Sequence, residues 1–229
     1  MKKHIVVLTG AGMSAESGLK TFRDADGLWE GHDVMEVASP QGFTANPELV
    51  LEFYNQRRKQ LLSVKPNDAH IALAKLEHHY KITIVTQNVD DLHERAGSTN
   101  VIHLHGELLK VRSTNNEFDV QDWQADLMIG DTCSKGYQLR PHIVWFGEAV
   151  PLIETAITIC KNADILLIIG TSMQVYPAAS LMHYVQPETK IFYIDPRPAM
   201  DNNSQITVIS KSATLGIKEF TTLIKQVSQ

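Results

Sequence analysis

The stretch HIVVLTGAGMSAESGLKTFRD (residues 4–24) decides the fold. From Ile5 to Leu8 it is apolar without interruption, and Thr9 continues the β-preferring run. That is how a parallel strand buried on both faces reads. Gly10 and Gly12 break the run, and a helical pattern starts at once. A helix beginning after a tight glycine turn offers free N–H groups to a phosphate, and Ser14 and Ser17 can add hydroxyl donors. The pattern is neither G-x-G-x-x-G nor G-x-x-x-x-G-K-[ST]. Taken alone, the glycines suit an ordinary tight turn almost as well.

Three further runs have the character of the first: KITIVT (81–86), DILLIIG (164–170) and KIFYID (190–195). Helical patterns over 47–63, 67–79, 151–162 and 214–227 lie between or after them. The alternation predicts an α/β fold, a doubly wound parallel sheet of Rossmann-like type. Ligands of such sheets sit at the carboxyl ends of the strands. Each strand here leads into a small polar loop: GAGMSAESG, QNVDDLH, GTSMQ and DPRP. Residues 31–77 and 107–142 break the alternation and are expected to form a smaller inserted lobe. The larger lobe then comprises about 1–30, 78–106 and 143–229.

The 229 residues suffice for one well-buried core. A net charge of −5 excludes a general basic grip on nucleic acid. Two cysteines make no disulfide framework and fit a reducing compartment. The run after Lys2 and Lys3 is too short for a signal segment or a membrane span, so a cytoplasmic location is expected.

Three further motifs carry polar chemistry. TFRD (21–24) places Arg23 where it can pair with a phosphate or with a neighbouring aspartate. TQNVDDLH (86–93) sets Gln87, Asn88 and Asp90 at a strand end, where they can hydrogen-bond a ribose or a carboxamide, or cap a helix. VIHLHGE (101–107) has His103 and His105 at alternate positions, facing the same way in a strand. One can serve as a general base, and the spacing alone would also fit a metal pair.

GAGMSAESG, TFRDADGLW, TQNVDDLH, HLHGE, RPHIVWFGE (140–148) and GTSMQVYPA (170–178) occur in this order. Together the six stretches resemble the sirtuin (Sir2) family of NAD-dependent protein lysine deacylases, from the first strand to the last helix. The resemblance implies NAD as cofactor and acyl-lysine proteins as substrates, with free lysine, nicotinamide and O-acyl-ADP-ribose as products. A monomer is expected, and the charge and the short apolar runs predict no nucleic-acid or membrane partner. The resemblance makes His105 the catalytic base, with Asn88 beside it. Gly10, Ala11, Gly12, Ser14, Ala15 and Glu16 would cradle the pyrophosphate, with Thr21, Phe22, Arg23 and Trp29 closing over the cofactor. Gln87, Asn88, Val89 and Asp90 would line the nicotinamide-ribose pocket. Gly170, Thr171, Ser172, Asp195, Pro196 and Ala213 would hold the adenosine side. Val144, Trp145, Phe146, Gly147, Val175 and Tyr176 would wall an acyl-lysine tunnel. Other outcomes on the same fold are an ADP-ribosyltransferase, an NAD hydrolase or a non-catalytic NAD-binding module.

Two departures matter. Sirtuins usually carry four zinc cysteines, as two C-x₂-C pairs, between HG and RPH. Here the first pair's place reads STNN (113–116), and the second has Cys133 alone. A structural zinc site takes four nitrogen or sulfur ligands, so the metal is expected to be absent. The helix 46–62 places Val50, Phe53, Tyr54, Arg57 and Leu61 on one stripe, and Arg58 is expected to point outward. A cation on an apolar face needs an anionic partner, such as Glu30 or Glu36 of the chain. The Y-x-x-R pattern also matches the sirtuin subgroup (class III) that removes succinyl or malonyl groups. There, Tyr54 and Arg57 would bind the distal carboxylate.

Overall fold

The computed structural model describes residues 2–20, 28–29 and 31–227. The strands are β1 (His4–Thr9), β2 (Leu28–Trp29), β3 (His32–Asp33), β4 (Lys81–Thr86), β5 (Val101–His103), β6 (Gly106–Ser113), β7 (Val120–Asp122), β8 (Leu139–Ile143), β9 (Ile165–Ile169), β10 (Lys190–Ile194) and β11 (Ile206–Ile209). The helices are α1 (Gly12–Ala15), α2 (Val34–Val37), α3 (Pro40–Ala45), α4 (Pro47–Ser63), α5 (Asp68–Leu76), α6 (Leu92–Arg95), α7 (Ile153–Lys161) and α8 (Ala213–Val227).

Six strands form one parallel sheet in the order β11-β10-β9-β1-β4-β5. β1 lies at its centre, with Val7 opposite Ile84 on one side and Leu167 on the other. Alternate side chains go to opposite faces. Ile5, Val7, Ile82 and Ile84 pack with α5 and α8 through Leu73, Ile217 and Phe220. Val6, Leu8, Val85 and Leu166 pack on the other face with Ala156 and Cys160 of α7. Both faces are therefore core, and a strand with no polar face reads as a continuous apolar run. The chain leaves β1 for β4 on one side and reaches β9 on the other. That reversal opens a crevice at the carboxyl ends of the three strands.

α5, grouped by the sequence with the smaller lobe, packs Ala69, Leu73 and Leu76 on the large sheet. The smaller lobe has its own antiparallel sheet, β7-β6-β8. Its core joins Leu51 of α4 to Val111, Leu127, Cys133 and Leu139.

α4 is the bridge. Val50, Phe53, Tyr54 and Leu61 face one cluster with Leu92, Leu108 and Trp145, as the stripe predicts. Arg58, however, does not point outward: it is 1 % exposed. It donates to Leu108 O at 3.2 Å, Asn55 Oδ1 at 2.8 Å and Ala125 O at 3.3 Å. Burial pushes its pKa down to about 10. Leu51, Asn55 and Arg58 form a second buried stripe, facing the smaller lobe. A charged residue is held inside here because three oxygens accept its protons, which offsets the cost of desolvation.

Candidate active site

The carboxyl ends of β1, β4 and β9 open into a cavity of about 520 Å³, within the range of small-molecule sites. The described site residues that the resemblance assigns all line it, from Gly10 and His105 to Tyr54, Val175 and Ala213, whereas Ser17, expected to add a hydroxyl donor, does not. Thr21, Phe22 and Arg23 lie outside the described residues, as does the side chain of Trp29.

The glycines are explained first by packing. A Cβ on Gly12 would meet the Gly170 backbone at 2.9 Å, and one on Gly170 would meet Met13 N at 2.2 Å. Gly170 has φ +65, a left-handed conformation that costs glycine least. The two loops thus touch backbone to backbone. The expected row of free N–H donors is mostly engaged. Gly12 N donates to Gly170 O at 2.8 Å, Met13 N to Gly10 O at 2.9 Å and Ser14 N to Ala11 O at 3.1 Å. A four-residue α1 is too short to present a full turn of unpaired amides, and its tight start consumes them.

Glu16 takes a scaffolding role at the cavity edge. Its carboxylate accepts from Thr214 N at 2.9 Å, Thr214 Oγ1 at 2.7 Å and Ser212 Oγ at 3.1 Å, tying the glycine turn to the start of α8. Burial alone would raise its pKa. The Thr214 and Ser212 hydrogen bonds outweigh that and hold it below the usual range.

The loop after β4 forms the inner wall. Gln87 Nε2 donates to Thr171 Oγ1 at 3.1 Å, crossing from one strand end to another. Asn88 Nδ2 donates to Ser14 Oγ at 3.1 Å, and Ser14 Oγ donates to Asp90 Oδ2 at 2.9 Å. Burial raises the Asp90 pKa to about 6, against the pull of the Ser14 and Leu92 hydrogen bonds. Behind them His70, whose pKa burial lowers to about 4, lies edge-on to the buried His93.

His105 Nδ1 lies 3.1 Å from Gln87 O. A carbonyl only accepts, so Nδ1 carries the proton and Nε2 keeps the lone pair. Burial lowers the pKa while the Gln87 bond opposes it. The neutral, basic tautomer is therefore the one held at the cavity. The two histidines do not face the same way. β5 ends at His103 and the chain turns through Leu104 and His105. His103 lies off the cavity, with Nε2 2.8 Å from Glu94 Oε1.

On the opposite wall Arg57 lies over the Phe53 ring at 3.4 Å and donates to Phe53 O at 2.6 Å. Tyr54 is buried, and its hydroxyl accepts from Trp145 Nε1 at 2.9 Å. Burial pushes its pKa up, so it stays a neutral phenol. Glu148, in the quoted RPHIVWFGE but not singled out, also lines the cavity. It binds Arg140 at 2.6 Å and Arg112 at 3.2 Å, which face each other across β6 and β8. It also accepts from Trp145 N at 2.8 Å, which fixes the loop 144–148 to the smaller sheet. Buried arginines on facing strands are the signal that would have found it.

A model of the Sir2 family matches residues 10–177. The chain belongs to the Sir2 family. A Helicobacter pylori protein named NAD-dependent protein deacylase is 63 % identical over 195 residues, covering 85 % of each chain. One of the same name from Bacteroides thetaiotaomicron is 52 % identical over 229 residues, covering 97 % of this chain and 98 % of its own. Among solved structures, a Sir2 homologue in complex with NAD is 40 % identical with a TM-score of 0.87, covering 100 % of this chain and 91 % of its own.

NAD fits the cavity's chemistry. The backbone-to-backbone contact of Gly12 and Gly170 keeps the floor flat. Amide, acid and imidazole groups gather at one end, and Asp195 and Ala213 lie among the residues that line it. Zinc does not fit the smaller lobe. Among the described residues no three His, Cys, Asp or Glu groups come together as a metal site would need. Ser113 Oγ instead accepts from Asn115 N and Asn116 Oδ1 from Phe118 N. Gly136 N donates to Cys133 O, and a hydrogen bond from the Ser113 side chain lowers the pKa of the Cys133 thiol. Hydrogen bonds close the turns where the resemblance would place thiolates.

Proposed function

We propose that this Sir2-family NAD-dependent protein deacylase removes acidic acyl groups, succinyl or malonyl, as well as acetyl, from lysine. The observation that carries the acidic preference is the shared position of Tyr54 and Arg57, one helical turn apart, on the cavity wall.

NAD supplies, when bound, an electron-poor sugar carbon and a nicotinamide leaving group. Asn88 and Asp90 hold the nicotinamide-ribose end. His105 Nε2 accepts a proton from a ribose hydroxyl, its ring fixed by the Gln87 carbonyl. The loop from Val144 to Gly147 and the pair Val175–Tyr176 flank the lysine stem and exclude water. The smaller lobe works without zinc, held by its apolar core and its closed turns.

Arg57→Met tests the acidic preference. Breaking a buried charge pair costs roughly 3–5 kcal/mol, and each ~1.36 kcal/mol is a tenfold rate factor. Because Arg57 is only partly buried, we discount that range and expect desuccinylation kcat/KM to fall at least about a hundredfold. Deacetylation should change little. A parallel fall of both activities in a well-folded variant would show that Arg57 does not select the acyl group.

A further inference from the structure

The segment 103–108 runs beneath the loop 87–90 and holds three successive carbonyls. His105 Nδ1 meets Gln87 O at 3.1 Å, His103 Nδ1 meets Asn88 O at 3.1 Å, and Leu108 N donates to Val89 O at 2.8 Å. His103 differs from His105 in one respect. Its other nitrogen also faces an acceptor, Glu94 Oε1 at 2.8 Å. A carbonyl oxygen and an ionised carboxylate both only accept, so His103 satisfies both only with a proton on each nitrogen. Its side chain is 8 % exposed and turned away from the cavity, so it touches no reacting atom.

We propose that His103 is a positioning residue: as an imidazolium bridging Asn88 O and Glu94, it sets the loop carrying Asn88 and Asp90 for NAD binding. This rests on the assignment of residues 87–90 to the nicotinamide-ribose end. Several charged or titratable groups act on the pair. Glu94 comes from α6 and Glu107 from β6, with Lys110 acting on Glu94 and paired to Glu107. Asp90 lies in the loop itself, and His93, buried and neutral, comes from α6. Burial opposes the charge on His103. The Glu94 hydrogen bond and the carboxylates of Glu94 and Glu107 outweigh it, so its pKa lies above the usual histidine value.

The sign follows. Below about pH 6.5, the ordinary histidine pKa, the ring holds both protons and both bonds. As pH rises through the raised value one proton leaves; the Glu94 carboxylate is the stronger acceptor and keeps the proton on Nε2, so Asn88 O loses its donor. NAD affinity should therefore weaken on the alkaline side. His105 acts in the opposite sense, since it must be neutral to serve as base.

Calorimetric titration of the full chain with NAD between pH 6 and 9 tests this. For wild type the Kd should rise by about tenfold, the worth of one charged hydrogen bond. ADP, which lacks the nicotinamide ribose, should bind with a flat profile. In His103→Asn the amide nitrogen stands near the place of Nδ1 and does not titrate, so tight binding should persist at all pH. His103→Gln places its amide near Nε2, leaves Asn88 O without its donor, and should bind weakly throughout. In Glu94→Gln the new amide donates to a neutral Nε2, so the pH dependence should flatten without loss of affinity. Glu94 is 41 % exposed on its side chain, so this variant is not expected to disturb the core. A pH-independent wild type, or equal behaviour of His103→Asn and His103→Gln, would overturn the inference. A wild type that binds ADP but gains nothing from the nicotinamide ribose would instead overturn the assignment of residues 87–90.

Discussion

The cavity floor and the smaller lobe meet different demands. On the floor, Gly12 and Gly170 touch backbone to backbone, and a single methyl group would close the gap. Gln87 is fixed by Thr171 in the loop after β9, and Asn88 and Asp90 by Ser14 of α1. Such a surface has few acceptable residues, and the sequence motifs there are intact. The smaller lobe needs only to hold its own sheet and support α4. Leu51, Val111, Leu127 and Leu139 do so by burial, each worth roughly 1.5–3 kcal/mol. Gln138 closes the strand ends with bonds to Met128 O, Leu139 O and Gly130 N. A scaffold defined by stability can be held by packing and closed turns; a floor with backbone-to-backbone contacts tolerates few changes.

The largest expected effect is on the floor. His105→Ala should lower deacylation by ~10²–10⁴-fold, the usual worth of a general base, while NAD binding stays near normal. Steady-state kinetics beside NAD titration would check this. Near-normal turnover would remove His105 from the chemistry and erase the contrast between the two regions. The smallest expected effect is on the lobe. Dialysis against a chelator should leave the melting temperature and activity unchanged, and elemental analysis should find no stoichiometric zinc. About one zinc per chain, with loss of stability on its removal, would mean the lobe had kept a metal after all.

What could be read from the sequence follows the same division. β1, β4, β9 and β10 were legible because both of their faces are core, which leaves an uninterrupted apolar run. β11 was not: ITVI is four residues at a sheet edge, with Ile206 and Val208 only partly buried. β6 was hidden because buried Arg112 and Ser113 sit among its apolar residues. Arg58 is hidden for the same reason: a helical cation reads as solvated, and its partners Leu108 O and Ala125 O are 50 and 67 residues away. Alternation puts His103 and His105 on one face of a strand, but the strand ends at His103, and local alternation carries no signal of where pairing stops. The cavity-lining residues were legible through the motif set, while the engagement of the Gly12–Ser14 amides and the role of Glu16 needed coordinates. The Gly12 amide and the Glu16 carboxylate find their partners at Gly170 and at Ser212 and Thr214, more than a hundred residues away, and the Met13 and Ser14 amides are used up inside the tight turn itself.

The most direct measurement is of the product. The protein is incubated with NAD and a succinyl-lysine peptide, and the small molecules are weighed by mass spectrometry. The account predicts O-succinyl-ADP-ribose and free nicotinamide in step with unmodified peptide. ADP-ribose and nicotinamide alone, with the peptide still succinylated, would contradict it.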